Sequence, residues 1–308
     1  MAKMRAGRAQ DLTWRLEAFG FDLFTALIRA LPADWASGLG AAIGRAVGPL
    51  TGANRTAARN LRLAFPDLAD DERARLLKAQ WGNVGRVFTE LPIMDRLTPA
   101  SGRVEVVHAE RLAAIAASGR PAVFISGHFS NWEIMPAVIL AAGIDCEITY
   151  RAANNPYVDE RIKASRRRYG VKLFAPKGGD GARELLEALS RGVSVAMMND
   201  QKYDGGVAAP FFGRTVHTLP AAVRLALRFG ADLQPMSVTR LRGARFRVMV
   251  HEPIPIASTG DRAADMEAGV RSINAFIEAR VREQPTEWFW VHRRWPPEAY
   301  KELADQGY

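Results

Sequence analysis

Residues 122–133 read AVFIS–GHFSNWE, an apolar run followed by a glycine and a cluster of polar and aromatic side chains. The apolar run predicts a buried β-strand, and the residues from about Asn131 to Ala142 predict a helix directly after it. Ligand crevices of α/β folds lie at the carboxyl ends of parallel strands. His128 and Glu133, in the turn between strand and helix, are therefore the first candidates for chemistry.

Short strands and helices alternate on the C-terminal side of this stretch. The strand-like runs are 147–150, 171–175, 193–198, 233–239 and 246–250, and the helical runs are 156–169, 182–191, 220–229 and 262–282. This alternation predicts an α/β fold with a largely parallel central sheet flanked by helices, and with antiparallel additions late in the chain. We expect two regions, an N-terminal helical, membrane-associating region over 1–100 and the α/β domain over 101–308.

The composition excludes several classes of protein. Hydrophobic residues make up 48% of the 308 residues, which excludes a disordered chain. Cys146 is the single cysteine, so no intramolecular disulfide forms, and no Cys or His spacing suits a metal. The net charge is +9, and 35 of the 42 basic residues are arginine. Either a GC-rich genome or an anion-binding surface explains this bias, but no nucleic-acid-binding motif is present, so we expect no nucleic-acid partner.

Residues 12–50 are apolar but interrupted by charges. No run reaches about 18 uncharged apolar residues, which disfavours a spanning helix. Basic flanks and aromatic residues suit a helix that lies in a membrane interface, and the alternative is an amphipathic helix packed on the protein's own core. The same two alternatives apply to Trp288, Trp290 and Trp295, which stand beside Arg293 and Arg294.

His128 and Glu133 would point about 140° apart on a straight helix, at ~100° per residue. They converge if His128 lies in the turn and Glu133 lies on the first turn of the helix. Glu133 would then hold His128 in one tautomer and stabilise the imidazolium, while the other ring nitrogen takes a proton from a hydroxyl. A helix-capping His and a solvent-exposed Glu are the alternative, and the pattern leaves both open.

The segment GHFSNWE matches the HX4(D/E) motif of glycerolipid-type acyltransferases. It resembles the lipid A biosynthesis lauroyl/myristoyl acyltransferase family in particular. Further stretches with the same resemblance follow in order along the chain: Arg59-Asn60-Leu61, Phe65-Pro66, Tyr150-Arg151, Asn155-Pro156-Tyr157, Asn199-Asp200-Gln201, 210–213 and 291–295. The residues MNDQ at 198–201 stand where the phospholipid branch carries an FPEGTR-like block, which favours the lipid A branch.

The resemblance implies transfer of a fatty acyl chain from an acyl carrier protein or CoA thioester to a hydroxyl of a lipid A precursor. His128 would be the general base and Glu133 its orienting partner, without a cofactor, a metal or a covalent intermediate. The implied place is the cytoplasmic face of the inner membrane, reached peripherally or through a single N-terminal membrane helix. Two alternatives stay open. One is transfer to a glycerophospholipid, an ornithine lipid or a phosphoinositol glycolipid, and the other is hydrolysis by the same pair acting on water.

Three further residues are expected to bind substrate. Arg151 follows a predicted strand, where it would contact a phosphate or a developing oxyanion. Asp200 and Gln201 also follow a strand and would bind substrate or hold Arg151, unless they form a plain turn before an apparent loop at 203–206. The basic cluster Arg161, Lys163 and 166–168 suits an acidic carrier protein or phosphates, and equally suits a solvated helix face. Cys146 and Ser130 are poor nucleophile candidates.

Overall fold

The computed structural model describes residues 7–150, 152–173 and 179–307. Within them, a central sheet has the strand order β1-β9-β8-β2-β5-β3-β4. Its strands are β1 (Val104–Val107), β2 (Ala122–Ser126), β3 (Cys146–Ile148), β4 (Lys172–Leu173), β5 (Ser194–Met198), β8 (Asp232–Arg242) and β9 (Arg245–Val250). Neighbouring strands are parallel except β8 and β9, which pair antiparallel. The predicted α/β fold with late antiparallel additions is confirmed.

Helices cover the sheet and precede it. They are α1 (Arg8–Ala30), α2 (Ala33–Val47), α3 (Gly52–Ala64), α4 (Asp70–Glu90), α5 (Ala109–Ser118), α6 (Ile134–Ala141), α7 (Pro156–Arg167), α8 (Gly179–Ser190), α9 (Ala221–Phe229), α10 (Arg262–Glu283) and α11 (Pro297–Asp305). The helix α7 begins where its sequence predicts, because Asn155 accepts backbone N–H bonds from Tyr157 and Val158 as an N-cap and Pro156 occupies the first turn.

A separate antiparallel hairpin, β6 (Lys202–Phe211) with β7 (Arg214–Thr218), follows β5. The prediction of a loop at 203–206 is wrong, since these residues lie inside β6. Gly206, one of the glycines that suggest a turn, instead allows two strands to lie close together. A Cβ on Gly206 would lie 2.4 Å from the carbonyl oxygen of Thr218, so no larger residue fits there without displacing the hairpin.

The helices α2 and α4 pack with their backbones in contact. A Cβ on Gly40 would lie 2.4 Å from the carbonyl oxygen of Gly85, and one on Gly44 would lie 2.1 Å from that of Trp81. At the end of α4 the buried carboxylate of Glu90 accepts hydrogen bonds from Ser37 on α2, at 2.6 Å, and from Asn131, at 3.0 Å. The N-terminal helices are thus joined to the turn that carries His128.

One face of α1 is apolar and exposed. The residues of this face are Leu12, Leu16, Phe19, Leu23 and Leu27, with 53–68% of each exposed. They fall within an arc of about 80° at ~100° per residue. The opposite side of α1 is attached to the protein, where Asn155 donates to the Trp14 carbonyl oxygen at 2.9 Å. Among the described helices, none combines the length and the apolar character needed to cross a membrane.

Candidate active site

His128 and Asp200 meet at the carboxyl edge of the sheet. The strands β2 and β5 are parallel neighbours that end in register at Ser126 and Met198, so the residues after them emerge side by side. His128 Nδ1 lies 2.7 Å from Asp200 Oδ1. Asp200 Oδ2 accepts the backbone N–H of His128 at 2.7 Å. The carboxylate therefore holds both the ring and the backbone of the histidine.

Asp200 is 4% exposed, yet its surroundings keep it ionised. Burial alone would raise the pKa of this carboxyl. The charge of His128 and hydrogen bonds from His128 and from the Trp288 indole outweigh burial, and together they hold the pKa of Asp200 well below its usual range. In the neutral form of the ring, an ionised Asp200 fixes the single ring proton of His128 on Nδ1 and leaves Nε2 as a proton acceptor.

Glu133 has other partners than the sequence predicts. Its carboxylate forms a buried ion pair with Arg166, in which Arg166 Nε lies 2.9 Å from Oε2, and it accepts the Tyr169 hydroxyl at 3.3 Å. The contact expected from Glu133 to His128 is made by Asp200. The physical reason is direction: Glu133 immediately precedes α6 and faces α7, whereas the His128 ring faces the end of β5.

An apolar cavity of about 320 Å³ opens beside His128 and runs between the sheet and α6. Its volume is near the lower end of the ~300–1,000 Å³ typical of small-molecule sites. Apolar side chains form most of its wall, among them Phe124, Met135, Ile139, Ile148, Met197 and Met236. Glu133, Tyr150 and Arg166 are among its polar lining residues. The cavity thus suits a ligand with a long apolar part and its reactive end at His128.

Aromatic rings surround His128 at the cavity mouth. The Trp132 ring lies edge-on to it with centroids 4.9 Å apart, and the Phe289 and His292 rings lie 6.3 and 5.8 Å away. Gln201 lies at the same rim, with Nε2 3.2 Å from His292 Nε2. The structure therefore brings Gln201 near the site. Arg151 lies outside the described residues.

The C-terminal segment 287–292 holds the turn that carries His128. The Ser130 backbone N–H donates to the Glu287 carbonyl oxygen at 2.7 Å, and the Phe289 N–H donates to that of His128 at 3.1 Å. This pairing supports Ser130 at a φ of 46°, a left-handed conformation that a serine seldom adopts. No local sequence pattern at residues 287–289 predicts these contacts. The nearest signal in the sequence is the neighbouring stretch 291–295, which carries the family resemblance.

The tryptophans near the C-terminus are core residues. Trp288, Trp290 and Trp295 are each at most 2% exposed, so of the two alternatives the structure shows packing rather than contact with a membrane interface.

The single cysteine, Cys146, is equally buried. Burial raises the pKa of the Cys146 thiol, which keeps it protonated and unreactive.

Three members of the basic cluster on α7 are paired with the chain's own acids. Arg161 bonds to Asp22 and Lys163 to Asp159. Arg166 bonds to Glu133, as described above. These pairs leave Arg161, Lys163 and Arg166 less available to an acidic partner than the composition of the cluster suggests. Among the described residues, no group of three or more His, Cys, Asp or Glu is placed to hold a metal ion.

Comparison with known proteins identifies the chemistry. The model of a family described as bacterial lipid A biosynthesis acyltransferase matches residues 15–296. A lipid A biosynthesis palmitoleoyltransferase of Escherichia coli strain K12 is 26% identical over 297 residues, which cover 92% of this chain and 90% of the relative. Lipid A biosynthesis acyltransferase 2 of Shigella flexneri is 26% identical over 258 residues, covering 82% and 80%.

A phosphatidylinositol mannoside acyltransferase of Mycolicibacterium smegmatis is 23% identical over 287 residues, covering 87% of this chain and 88% of the relative. The protein is thus an O-acyltransferase, with an acyl donor and a lipid acceptor as its substrates. It belongs to the bacterial lipid A biosynthesis acyltransferase family, because the family model covers nearly the whole chain.

Proposed function

We propose that the protein transfers a fatty acyl chain from an acyl carrier protein or CoA thioester to a hydroxyl of a lipid A precursor, with His128 as the general base. One observation carries the proposal: the His128–Asp200 pair stands at the mouth of an apolar cavity. A fatty acyl chain is the part of either substrate that needs such a cavity. A thioester carbonyl at its mouth would lie beside the imidazole.

The reaction follows from the orientation of His128. Nε2 takes the proton of the acceptor hydroxyl as its oxygen attacks the thioester carbonyl, which forms a C–O bond. The tetrahedral intermediate collapses, the C–S bond breaks, and the thiolate receives the proton from the imidazolium. Asp200 keeps the reactive tautomer and stabilises the imidazolium, which is the role that the sequence predicts for Glu133. The acceptor itself is the nucleophile, so the enzyme forms no covalent acyl intermediate.

The other site residues take positioning and binding roles in this proposal. Glu133 holds Arg166 against the cavity wall, where the guanidinium also stacks 4.7 Å from the Tyr150 ring centroid. Gln201 with His292 contacts the substrate at the rim of the site. Arg151 remains our candidate for contact with a phosphate or with the developing oxyanion.

The acceptor is a lipid, so the enzyme must reach it in a membrane. We assign membrane attachment to the apolar face of α1, which points away from the protein and is flanked by basic residues such as Arg8 and Arg15. A helix of this kind lies in the headgroup region with its apolar side buried. The proposed location is the cytoplasmic face of the inner membrane, with the protein bound peripherally.

A second acceptor class has one observation in its favour. The mycobacterial relative is named a phosphatidylinositol mannoside acyltransferase. Transfer to a phosphoinositol glycolipid would use the same base and the same cavity. The family model and the other two relatives favour a lipid A precursor.

An acyl-transfer assay tests the proposal. Acyl carrier proteins charged with chains of several lengths, and the matching acyl-CoAs, are offered with a tetra-acylated, Kdo-bearing lipid A precursor or with a phosphatidylinositol mannoside. We expect a new ester on the lipid A precursor, reduced at least ~10²-fold in His128→Ala. His108→Ala is the matched control, because His108 is exposed and pairs with Glu110. An ester formed on the phosphatidylinositol mannoside alone would identify that glycolipid, and not the lipid A precursor, as the acceptor. Undiminished transfer by His128→Ala would refute the mechanism.

A further inference from the structure

The Asp200 carboxylate accepts a third hydrogen bond, from the Trp288 indole. Trp288 Nε1 lies 2.8 Å from Oδ2, the oxygen that also accepts the His128 backbone N–H. Oδ1 is then the oxygen that meets the imidazole. An indole N–H is a donor only and does not titrate in the working range of the enzyme, so this contact persists at every relevant pH.

Trp288 has no freedom to turn away from Asp200. Its ring is 2% exposed and lies 5.8 Å from the Phe211 ring and 4.6 Å from the Trp290 ring. Its backbone forms a β-bridge with Phe129, the residue next to His128. The segment that carries Trp288 is therefore paired directly with the segment that carries His128, so one backbone contact holds both partners of Asp200 in place.

We infer that Trp288 is a positioning residue of the reaction, which locks the Asp200 carboxylate in the rotamer that orients His128 and limits how strongly that carboxylate attracts the imidazole proton. The inference rests on the proposed function, because the orientation of Asp200 matters to the reaction through His128. Two consequences follow. Without the indole N–H, the carboxylate turns more freely and His128 is aligned for less of the time. The carboxylate charge is also less dispersed, which favours the imidazolium and leaves less free base at a given pH.

Trp288→Phe tests this inference, since phenylalanine keeps an aromatic ring and removes the N–H. We expect kcat to fall roughly tenfold, less than the ~10²–10⁴ attributed to a general base, with KM unchanged. We also expect the acid limb of the pH profile of kcat/KM to move to higher pH. Trp290→Phe is the matched control: Trp290 is equally buried, and its Nε1 donates to the Pro285 carbonyl oxygen at 2.6 Å rather than to Asp200. The control should leave the acid limb in place.

A second measurement needs neither substrate nor a folded Trp288→Phe protein. In the wild type, the indole N–H resonance of Trp288 should lie downfield and move upfield in Asp200→Asn, while that of Trp290 stays in place. Identical kcat and pH profiles for Trp288→Phe and Trp290→Phe, or a Trp288 resonance indifferent to Asp200→Asn, would overturn the inference. Failure of the proposed function is distinguishable, because wild-type protein would then transfer no acyl group while the resonance still reported the contact.

Discussion

Replacing Asp200 by asparagine tests which carboxylate orients His128. Two N–H groups, from the His128 backbone and from Trp288, point at Oδ2. The asparagine oxygen must occupy that position, because an NH2 group there would face two donors. The NH2 group is then directed at His128 Nδ1, which lies 2.7 Å from the replaced oxygen. Nδ1 must accept this hydrogen bond, so the ring proton moves to Nε2.

The effect of this tautomer change on the rate is large. With Nε2 protonated, the nitrogen that should take the hydroxyl proton carries one already. The Ser-His-Asp triad contains a similar histidine–carboxylate pair. There the Asp→Asn substitution lowers kcat by roughly 10⁴ while leaving the geometry intact. We expect a loss of about 10²–10⁴ in kcat for Asp200→Asn, since binding and electrostatic contributions to catalysis remain.

The assay combines turnover with ¹⁵N NMR of histidine-labelled protein. In the wild type the His128 signals should show a proton on Nδ1, and in Asp200→Asn a proton on Nε2. Glu133→Gln should leave the proton on Nδ1, whatever it does to the rate, because Glu133 contacts Arg166 and Tyr169. If Asp200→Asn leaves the tautomer unchanged and Glu133→Gln switches it, Glu133 and not Asp200 orients His128.

The remaining predictions concern membrane attachment and acid stability. Phe19→Glu and Leu23→Glu each place a charge on the exposed apolar face of α1. Each should weaken co-sedimentation with anionic vesicles by at least about tenfold, because burying one such side chain is worth roughly 1.5–3 kcal/mol. Unchanged co-sedimentation would exclude α1 as the attachment surface. Burial lowers the pKa of His251 from 6.5 to about 4, with contributions from nearby cations. This group binds a proton more readily in the unfolded chain, so the stability it contributes is present above pH 6.5 and is lost as the pH falls towards 4. Chemical denaturation should show that loss, and His251→Gln should reduce it; an unaltered pH dependence in the variant would contradict this explanation.

The fold follows from local patterns that the sequence displays. The apolar run 122–126 is buried, and helices separate most of the strands that follow it along the chain, so this alternation predicts the α/β sheet. The hairpin β6–β7 is not predicted, because its local sequence resembles a turn. Gly205 and Gly206 are typical of a turn, and the close approach of Gly206 to Thr218 depends on a tertiary contact.

The site was predicted in part. His128 and its position at the sheet edge follow from the strand and the turn. Its partner does not, because Asp200 is 72 residues away and lies beside His128 only through the pairing of β2 with β5. Strand order is not encoded in a local pattern. Trp288, a further 88 residues along the chain, reaches Asp200 through the same tertiary arrangement. Glu133 lies close to His128 in sequence and is directed elsewhere by α7.

The proposed reaction requires His128 to act as the base for acyl transfer, with Asp200 holding it in the reactive tautomer. Single-turnover ester formation on the lipid A precursor, followed against pH in wild type and in His128→Gln, tests this most directly. We expect wild-type rates to rise with pH as one group loses a proton, and the variant to be at least ~10²-fold slower without that rise. A variant that keeps both the rate and the pH dependence of the wild type would show that His128 is not the base.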